Sequence, residues 1–122
     1  MRKAVFLDRD GTIIDNQGDL GNPEDVTVIE GVAEALSSLS KAGWLLIVVT
    51  NQAGVARGVF TENDIKQVHD RIDQFVGPID KYYYCCHHPE GVLEEWRGDH
   101  HWRKPAPGML EQAIEDFDID IN

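Results

Sequence analysis

The sequence predicts an α/β fold: a three-layer, Rossmann-like sandwich built on a parallel sheet. Residues 4–7 and 44–50 are short apolar runs without polar alternation, which is typical of strands covered on both faces. Apolar residues at helical spacing lie between the two runs, and such a β-α-β unit is expected to be parallel and right-handed. The 122 residues suit a single domain, which we assign to residues 1–122.

The remaining elements follow in order along the chain. The first helix is predicted before Gly43, with apolar positions at Val32, Ala35, Leu36 and Leu39. Thr61 and Asp64 predict the N-cap and capping box of a second helix. Its expected buried stripe contains Ile65, Val68, Ile72, Phe75 and Val76. Residues 79–85 are predicted as a third strand, and Pro107-Gly108 opens a last helix.

Charge and composition exclude several classes of partner. The formal net charge of −11 repels polyanions, so we expect neither nucleic acid nor an anionic membrane as a partner. No apolar stretch reaches membrane-spanning length, and we expect a cytoplasmic protein. Cys85 and Cys86 are adjacent, a poor geometry for a disulfide, which favours a reducing compartment or a metal-binding role.

Two carboxylates follow the first strand directly. Open α/β sheets bind ligands at the carboxyl ends of their strands, and Asp8 and Asp10 lie at this end. Side chains two residues apart point the same way while the backbone is extended. One carboxylate could then attack an electrophile while the other handles protons and a backbone carbonyl faces a cation. The pattern therefore indicates phosphoryl transfer.

Four segments occur in a characteristic order. They are residues 6–12 (FLDRDGT), 48–58 (VVTNQAGVARG), 84–89 (YCCHHP) and 103–109 (RKPAPGM). Together they resemble the haloacid dehalogenase superfamily of phosphotransferases, and more narrowly its family of heptose bisphosphate phosphatases and histidinol-phosphatase domains. A lone Asp-x-Asp-Gly is often only a turn with solvated carboxylates, but here the likeness covers nearly the whole chain.

The resemblance implies a role for each polar residue of these segments. Asp8 would be the nucleophile that forms an aspartyl-phosphate, and Asp10 the general acid and base. Mg²⁺ would bind the Asp8 carboxylate and the Asp10 carbonyl. Thr50 would bind the phosphoryl oxygens and Lys104 would add positive charge. Without the resemblance, Thr50 would simply end a β-branched strand and Lys104 would be a surface lysine.

The resemblance also implies a small phosphorylated sugar, the heptose bisphosphate, as the substrate, with histidinol phosphate as the alternative. The residues expected to bind it are Arg9, Asn51, Arg57 and Arg103. The segments between motifs leave no room for a cap domain, so a capless enzyme is expected. Substrate selection would then fall to the loops around Gln17, Arg57 and residues 85–103.

A zinc site is also implied, but it departs from the family pattern of Cys-x-His followed by Cys-x-Cys. The matching positions hold Cys85, His87, His100 and Trp102, and tryptophan does not ligate zinc. A closed tetrahedral site needs four donors, so the fourth would have to come from a nearby residue: Cys86, His88, Asp99 or His101. Alternatively, the site has decayed and Trp102 packs in its place.

A second departure concerns the end of the chain. Family members continue from the last helix into a further strand and a Gly-Asp motif that completes the Mg²⁺ site, but no Gly-Asp follows Lys104 here. We therefore expect a domain without the usual last strand and with an exposed edge beside Asp8. A fragment, a short form completed by self-association, and a degenerate relative that only binds phosphate remain alternatives. The expected oligomeric state is a monomer or weak homodimer.

Overall fold

The computed structural model describes residues 1–16 and 18–121. The strands are Ala4–Leu7 (β1), Leu45–Asn51 (β2) and Lys81–Cys85 (β3), and the helices are Val32–Lys41 (α1), Glu62–Val76 (α2) and Gly108–Phe117 (α3). Two short 3-10 turns lie at Pro23–Asp25 and Glu94–Trp96. In the described part of the chain, no helix is long and apolar enough to cross a membrane.

The three strands form one sheet in the order β1-β2-β3, and both pairs are parallel. Phe6 lies opposite Ile47 in the first pair, and Val49 lies opposite Tyr83 in the second. Because the strands run in the same direction, their carboxyl ends meet at one edge of the sheet. The predicted α/β class and the parallel sheet are confirmed.

The central strand β2 supplies side chains to both faces of the sheet. Leu46 and Val48 pack with apolar residues of α1 and α2, among them Leu36, Val68 and Ile72. Leu45, Ile47 and Val49 pack instead with Met109 and Ala113 of α3. Successive strand residues point to opposite faces, so the core is divided into two layers, one on each face of the sheet. The protein is therefore the predicted three-layer sandwich.

Helix α2 begins with the predicted capping box. Thr61 Oγ1 accepts a hydrogen bond from the Asp64 N–H at 3.2 Å, and Asp64 Oδ2 accepts one from the Thr61 N–H at 2.9 Å. The prediction of a buried Phe75 is wrong, since this side chain is 48% exposed and the Arg71 guanidinium lies 4.6 Å from its ring centroid. His69, which is 6% exposed, is buried on α2 instead.

The chain after α3 returns to the outer side of β1. The Arg2 N–H donates to the Asp118 carbonyl at 2.9 Å, and the Asp120 N–H donates to the Arg2 carbonyl at 2.7 Å. This pairing is made by Arg2, which lies before the start of β1. Within residues 1–16 and 18–121, no strand pairs with β1 on this side, so the edge that leads to Asp8 is open as expected.

Replacing Thr61 with alanine removes the side-chain acceptor of the capping box. We expect Thr61→Ala to lower the free energy of unfolding by about 1 kcal/mol, measured by urea denaturation. Thr27→Ala at an exposed loop position is the control and should leave stability nearly unchanged. An equal effect of the two substitutions would show that the cap does not stabilise α2.

Candidate active site

Asp8 and Lys104 meet at the carboxyl end of β1. The Lys104 ammonium contacts the Asp8 carboxylate and donates a second hydrogen bond to the Val49 carbonyl at 3.1 Å. The Asp8 side chain is 56% exposed, so an incoming ligand can reach it. Partial burial lowers the pKa of the Lys104 ammonium. The predicted nucleophile therefore has a cation in direct contact.

Asn51 holds the loop that carries Lys104. Its side-chain amide donates to the Lys104 carbonyl at 3.2 Å and accepts from the Lys104 N–H at 3.0 Å. Both ends of the amide are thus bonded to the main chain of one residue. This position differs from the substrate contact expected of Asn51, because the amide is already committed to fixing the loop.

The Asp10 carboxylate is surrounded by donors. Arg9 Nε and Asn16 Nδ2 donate to Oδ1 at 3.0 and 3.1 Å, and Gln52 Nε2 donates to Oδ2 at 3.0 Å. Arg9 Nη2 lies 2.9 Å from Oδ1 as well. The side chain is 27% exposed, so one part of the carboxylate still faces solvent. Asp10 is therefore held in place while remaining accessible.

Arg9 does not lie where a substrate-binding residue would lie. Its side chain is 0% exposed, and its guanidinium bonds to Asp10, to Gln52 Oε1 at 3.0 Å and to His69 Nε2 at 3.2 Å. The Arg9 side chain turns into the protein just after β1, whereas the Asp8 side chain stays exposed. Burial lowers the pKa of Arg9, and the Asp10 carboxylate opposes that effect. Arg9 supports Asp10 from within the protein and has no exposed side-chain surface.

Gln52 links two of the predicted catalytic residues and was missed by the sequence analysis. Its Nε2 donates to Asp10 Oδ2 at 3.0 Å and to Thr50 Oγ1 at 2.9 Å. Thr50 and Gln52 are both buried, at 3% and 4% exposure. A signal was present, since Gln52 comes two residues after Thr50 at the end of β2, where alternate side chains share one side.

His69 closes the network from α2. Its ring stacks on Tyr82 with centroids 3.9 Å apart, and the Tyr82 hydroxyl donates to Asp73 Oδ1 at 2.8 Å. Burial, with a smaller contribution from the Arg9 charge, lowers the pKa of His69 to about 3. The imidazole is therefore neutral at pH 7 and can accept the Arg9 N–H at Nε2.

The donor groups at this edge fit a magnesium ion. Mg²⁺ prefers oxygen ligands and commonly uses one or two carboxylates while it retains water. The Asp8 carboxylate is exposed, and in the loop that follows the Arg9 carbonyl accepts N–H groups from Thr12, Ile13 and Ile14. The Asp10 carbonyl accepts no hydrogen bond among the described residues. The Asp8 carboxylate and the Asp10 carbonyl therefore remain available as the Mg²⁺ ligands that the resemblance implies.

The two other predicted substrate-binding arginines differ in their surroundings. Arg57 is 42% exposed and forms a two-pronged ion pair with Asp19, at 2.6 and 3.2 Å. Arg103 lies near the Cys85 thiol. Burial raises the pKa of this thiol, and the Arg103 charge opposes that effect. The Arg103 Nε is buried and has no hydrogen-bond partner among the described residues. Gln17, predicted in the selectivity loops, lies outside the described residues.

Three of the predicted zinc ligands come together. Ligand atoms of Cys85, His87 and His100 all lie within 4.8 Å of one another. Among the described residues no fourth Cys, His, Asp or Glu joins this group. The Trp102 N–H donates to His100 Nδ1 at 3.0 Å, so zinc binding through that ring must alter this bond or the ring's proton. The arrangement supplies three donors.

The cluster of Cys85, His87 and His100 borders a cavity of about 310 Å³. Its lining includes Glu62, Tyr84, Trp96 and Trp102 together with the three clustered residues. Helix α3 begins directly below this loop, where the Gly108 N–H donates to the His101 carbonyl at 2.9 Å. A Cβ at position 108 would lie 2.3 Å from that oxygen, so glycine is required for this close approach.

Comparison with known families settles the membership of the chain. The family model described as polynucleotide kinase 3 phosphatase matches residues 3–122. The chain belongs to this family of haloacid dehalogenase-type phosphatases. The resemblance that the four ordered segments indicated is therefore confirmed at the level of the family.

Similar sequences in this family have assigned names. The D-glycero-beta-D-manno-heptose-1,7-bisphosphate 7-phosphatase of Haemophilus ducreyi is 44% identical over 124 residues, which cover 98% of this chain and 68% of the relative. The protein of the same name from Escherichia coli K12 is 43% identical over 122 residues, covering 97% and 64%. The chain thus spans about two thirds of the length of these curated relatives.

Solved structures in the same family share the fold. A HAD-like phosphatase from Mesorhizobium loti superimposes with a TM-score of 0.90 at 33% identity, covering 98% of this chain and 59% of that one. The D,D-heptose 1,7-bisphosphate phosphatase of B. bronchiseptica, complexed with magnesium and phosphate, gives 0.81 at 29% identity. That match covers 98% of this chain and 65% of the solved one.

The neutral, buried His69 predicts a pH-dependent stability. Between pH 6.5 and its folded pKa of about 3, the unfolded chain binds a proton that the folded chain does not. This group alone should remove about 1.4 kcal/mol of stability for each unit by which the pH falls through that window. We expect the free energy of unfolding of His69→Gln to fall less steeply than that of the wild type between pH 6.5 and 4.5.

The free energies are measured by urea denaturation at several pH values. His101→Gln, at an exposed position, is the matched control and should keep the wild-type slope. Equal slopes for the wild type and His69→Gln would refute the contribution of the buried imidazole.

Proposed function

We propose that this chain hydrolyses phosphomonoesters with Mg²⁺, through a phosphorylated Asp8. The observation that carries the proposal is the meeting of three groups at one sheet edge. They are an exposed carboxylate with a cation in contact, a second carboxylate held by four donor groups, and a threonine joined to that carboxylate through one amide. Family membership supports the same chemistry.

The proposed reaction has two steps. Asp8 attacks phosphorus, the bond to the leaving oxygen breaks, and Asp10 donates a proton to that oxygen. Asp10 then accepts a proton from water as the water oxygen attacks phosphorus, and cleavage of the bond to Asp8 releases phosphate. Thr50 and Lys104 stabilise negative charge on the phosphoryl oxygens during both steps. The Asp8 carboxylate and the Asp10 carbonyl would hold Mg²⁺, whose charge would reduce the repulsion between the phosphoryl oxygens and the attacking carboxylate.

A sugar bisphosphate is the proposed substrate, and the heptose 1,7-bisphosphate is its first candidate. Relatives 42–44% identical carry this substrate in their names. The net charge of −11 disfavours a polynucleotide, although the family model is described by a polynucleotide phosphatase. Binding of the second phosphate by Arg57 and Arg103 also stays a prediction. A cytoplasmic location and a monomer or weak homodimer remain predictions.

Asp8→Asn tests the proposed nucleophile. We expect Mg²⁺-dependent phosphate release from heptose bisphosphate by the wild type and a loss of at least about 10³-fold in the variant, because an amide does not form the phosphorylated intermediate. Phosphate is measured with histidinol phosphate and a 3′-phosphorylated oligonucleotide as competing substrates. Full activity of Asp8→Asn would refute the mechanism, and preference for either competitor would replace the proposed substrate.

We further propose that Cys85, His87 and His100 bind one zinc ion with three protein ligands. A cysteine and two histidines suit zinc, and a site with three protein ligands keeps one position for water. Trp102 lines the same cavity and offers no atom that ligates zinc. The alternative of a decayed site predicts no bound metal.

Metal analysis of the purified protein tests the zinc proposal. After expression with added zinc, the wild type should contain about one zinc per chain. Cys85→Ala should lose it, whereas Cys86→Ala should retain it, since Cys86 contacts Glu62 and lies outside the cluster. Absence of zinc from the wild type, or equal loss from both variants, would contradict the assignment.

A further inference from the structure

Gln52 is, with Arg9, one of two buried residues in the described chain that contact the Asp10 carboxylate. Its side-chain carbonyl Oε1 accepts from Arg9 Nη2 at 3.0 Å. Its two Nε2 hydrogens point to Asp10 Oδ2 at 3.0 Å and Thr50 Oγ1 at 2.9 Å. With 4% exposure, the side chain is buried and has little access to water as an alternative partner. Each donor and acceptor of this amide is therefore used within the protein.

Arg9 determines which way the Gln52 amide faces. A guanidinium has only donors, so the Gln52 atom that faces it must be the oxygen. The nitrogen then necessarily faces Asp10 and Thr50. The reversed amide would place two donors against each other beside Arg9 and leave Asp10 facing a carbonyl oxygen. The burial of Arg9, at 0% exposure, makes this orientation the stable one.

We propose that Gln52 is a positioning residue that holds Asp10 for proton transfer to the leaving oxygen. The inference rests on the proposed function, because it concerns the step assigned to Asp10. Gln52 itself faces Asp10 and Thr50 from the buried side and exchanges no proton with substrate. Its contribution is to fix the Asp10 carboxylate relative to the threonine that binds the phosphoryl group, so that acid and phosphorus keep one separation.

The choice of leaving group separates this role from a general structural one. A sugar alkoxide leaves only with a proton from Asp10, whereas p-nitrophenolate is a stable anion that leaves without one. The value of kcat/KM covers the steps up to departure of the leaving group. We therefore expect Gln52→Met to lower kcat/KM for heptose bisphosphate by about 10²-fold and for p-nitrophenyl phosphate by less than about fivefold.

Two variants serve as controls for the kinetic test. Thr50→Val, which weakens phosphoryl binding, should lower kcat/KM for both substrates alike. Gln112→Met, at a glutamine on α3 that bonds to Asp116, should change neither value. Equal losses on both substrates in Gln52→Met, with an unchanged melting temperature, would overturn the proposal.

A second measurement tests the contact between the Gln52 amide and Asp10 even if the chain releases no phosphate. The Gln52 side-chain amide is identified in nitrogen-15 spectra as the signal that Gln52→Met removes. Its two protons should exchange slowly with water, and at least one should shift when Asp10→Ala removes its acceptor. An amide signal that exchanges rapidly or is unaffected by Asp10→Ala would overturn the inference. Absence of phosphate release with both substrates would instead refute the proposed function alone.

Discussion

The ion pair between the fully buried Arg9 and the partly exposed Asp10 constrains the whole site. A guanidinium removed from water is stable only if its N–H groups find acceptors. Asp10, Gln52 and a neutral His69 provide them, and burial keeps the pKa of that histidine near 3. Gln52 and His69 help to meet this requirement, because each presents a hydrogen-bond acceptor to Arg9. Helix α2 and the end of β2 are thereby tied to the loop that carries Asp10.

The fold and the main groups of the site followed from patterns that the sequence displays directly. Continuous apolar runs marked β1 and β2 as covered strands, and Thr61 with Asp64 marked the start of α2. A parallel sheet places its carboxyl ends together, which explains why Asp8 and Thr50 lie at the same edge. The pairing of Asp8 with Lys104, far apart in the chain, depended on the resemblance rather than on spacing.

The supporting residues were harder to predict, because their roles depend on side-chain direction in three dimensions. Asn51 and Arg9 were expected to face a ligand, but the first bonds to the Lys104 main chain and the second is buried. Phe75 fits the helical stripe by hydrophobicity, yet it is exposed, whereas the polar residue His69 on the same helix is buried and bonds to Arg9. The spacing of hydrophobic residues does not reveal which polar residues are buried in a hydrogen-bonded network.

The two hydrogen bonds between the Asn51 side chain and the main chain of residue 104 affect which substitutions this position can accept. Both bonds are made to main-chain atoms, which every residue type possesses except that proline lacks the N–H. The two bonds from Asn51 thus do not depend on the side chain that this position carries. Mutation or protein engineering can therefore exchange the chemical group presented to Asp8 without redesigning the loop, which makes residue 104 a modular position in an otherwise tightly coupled site.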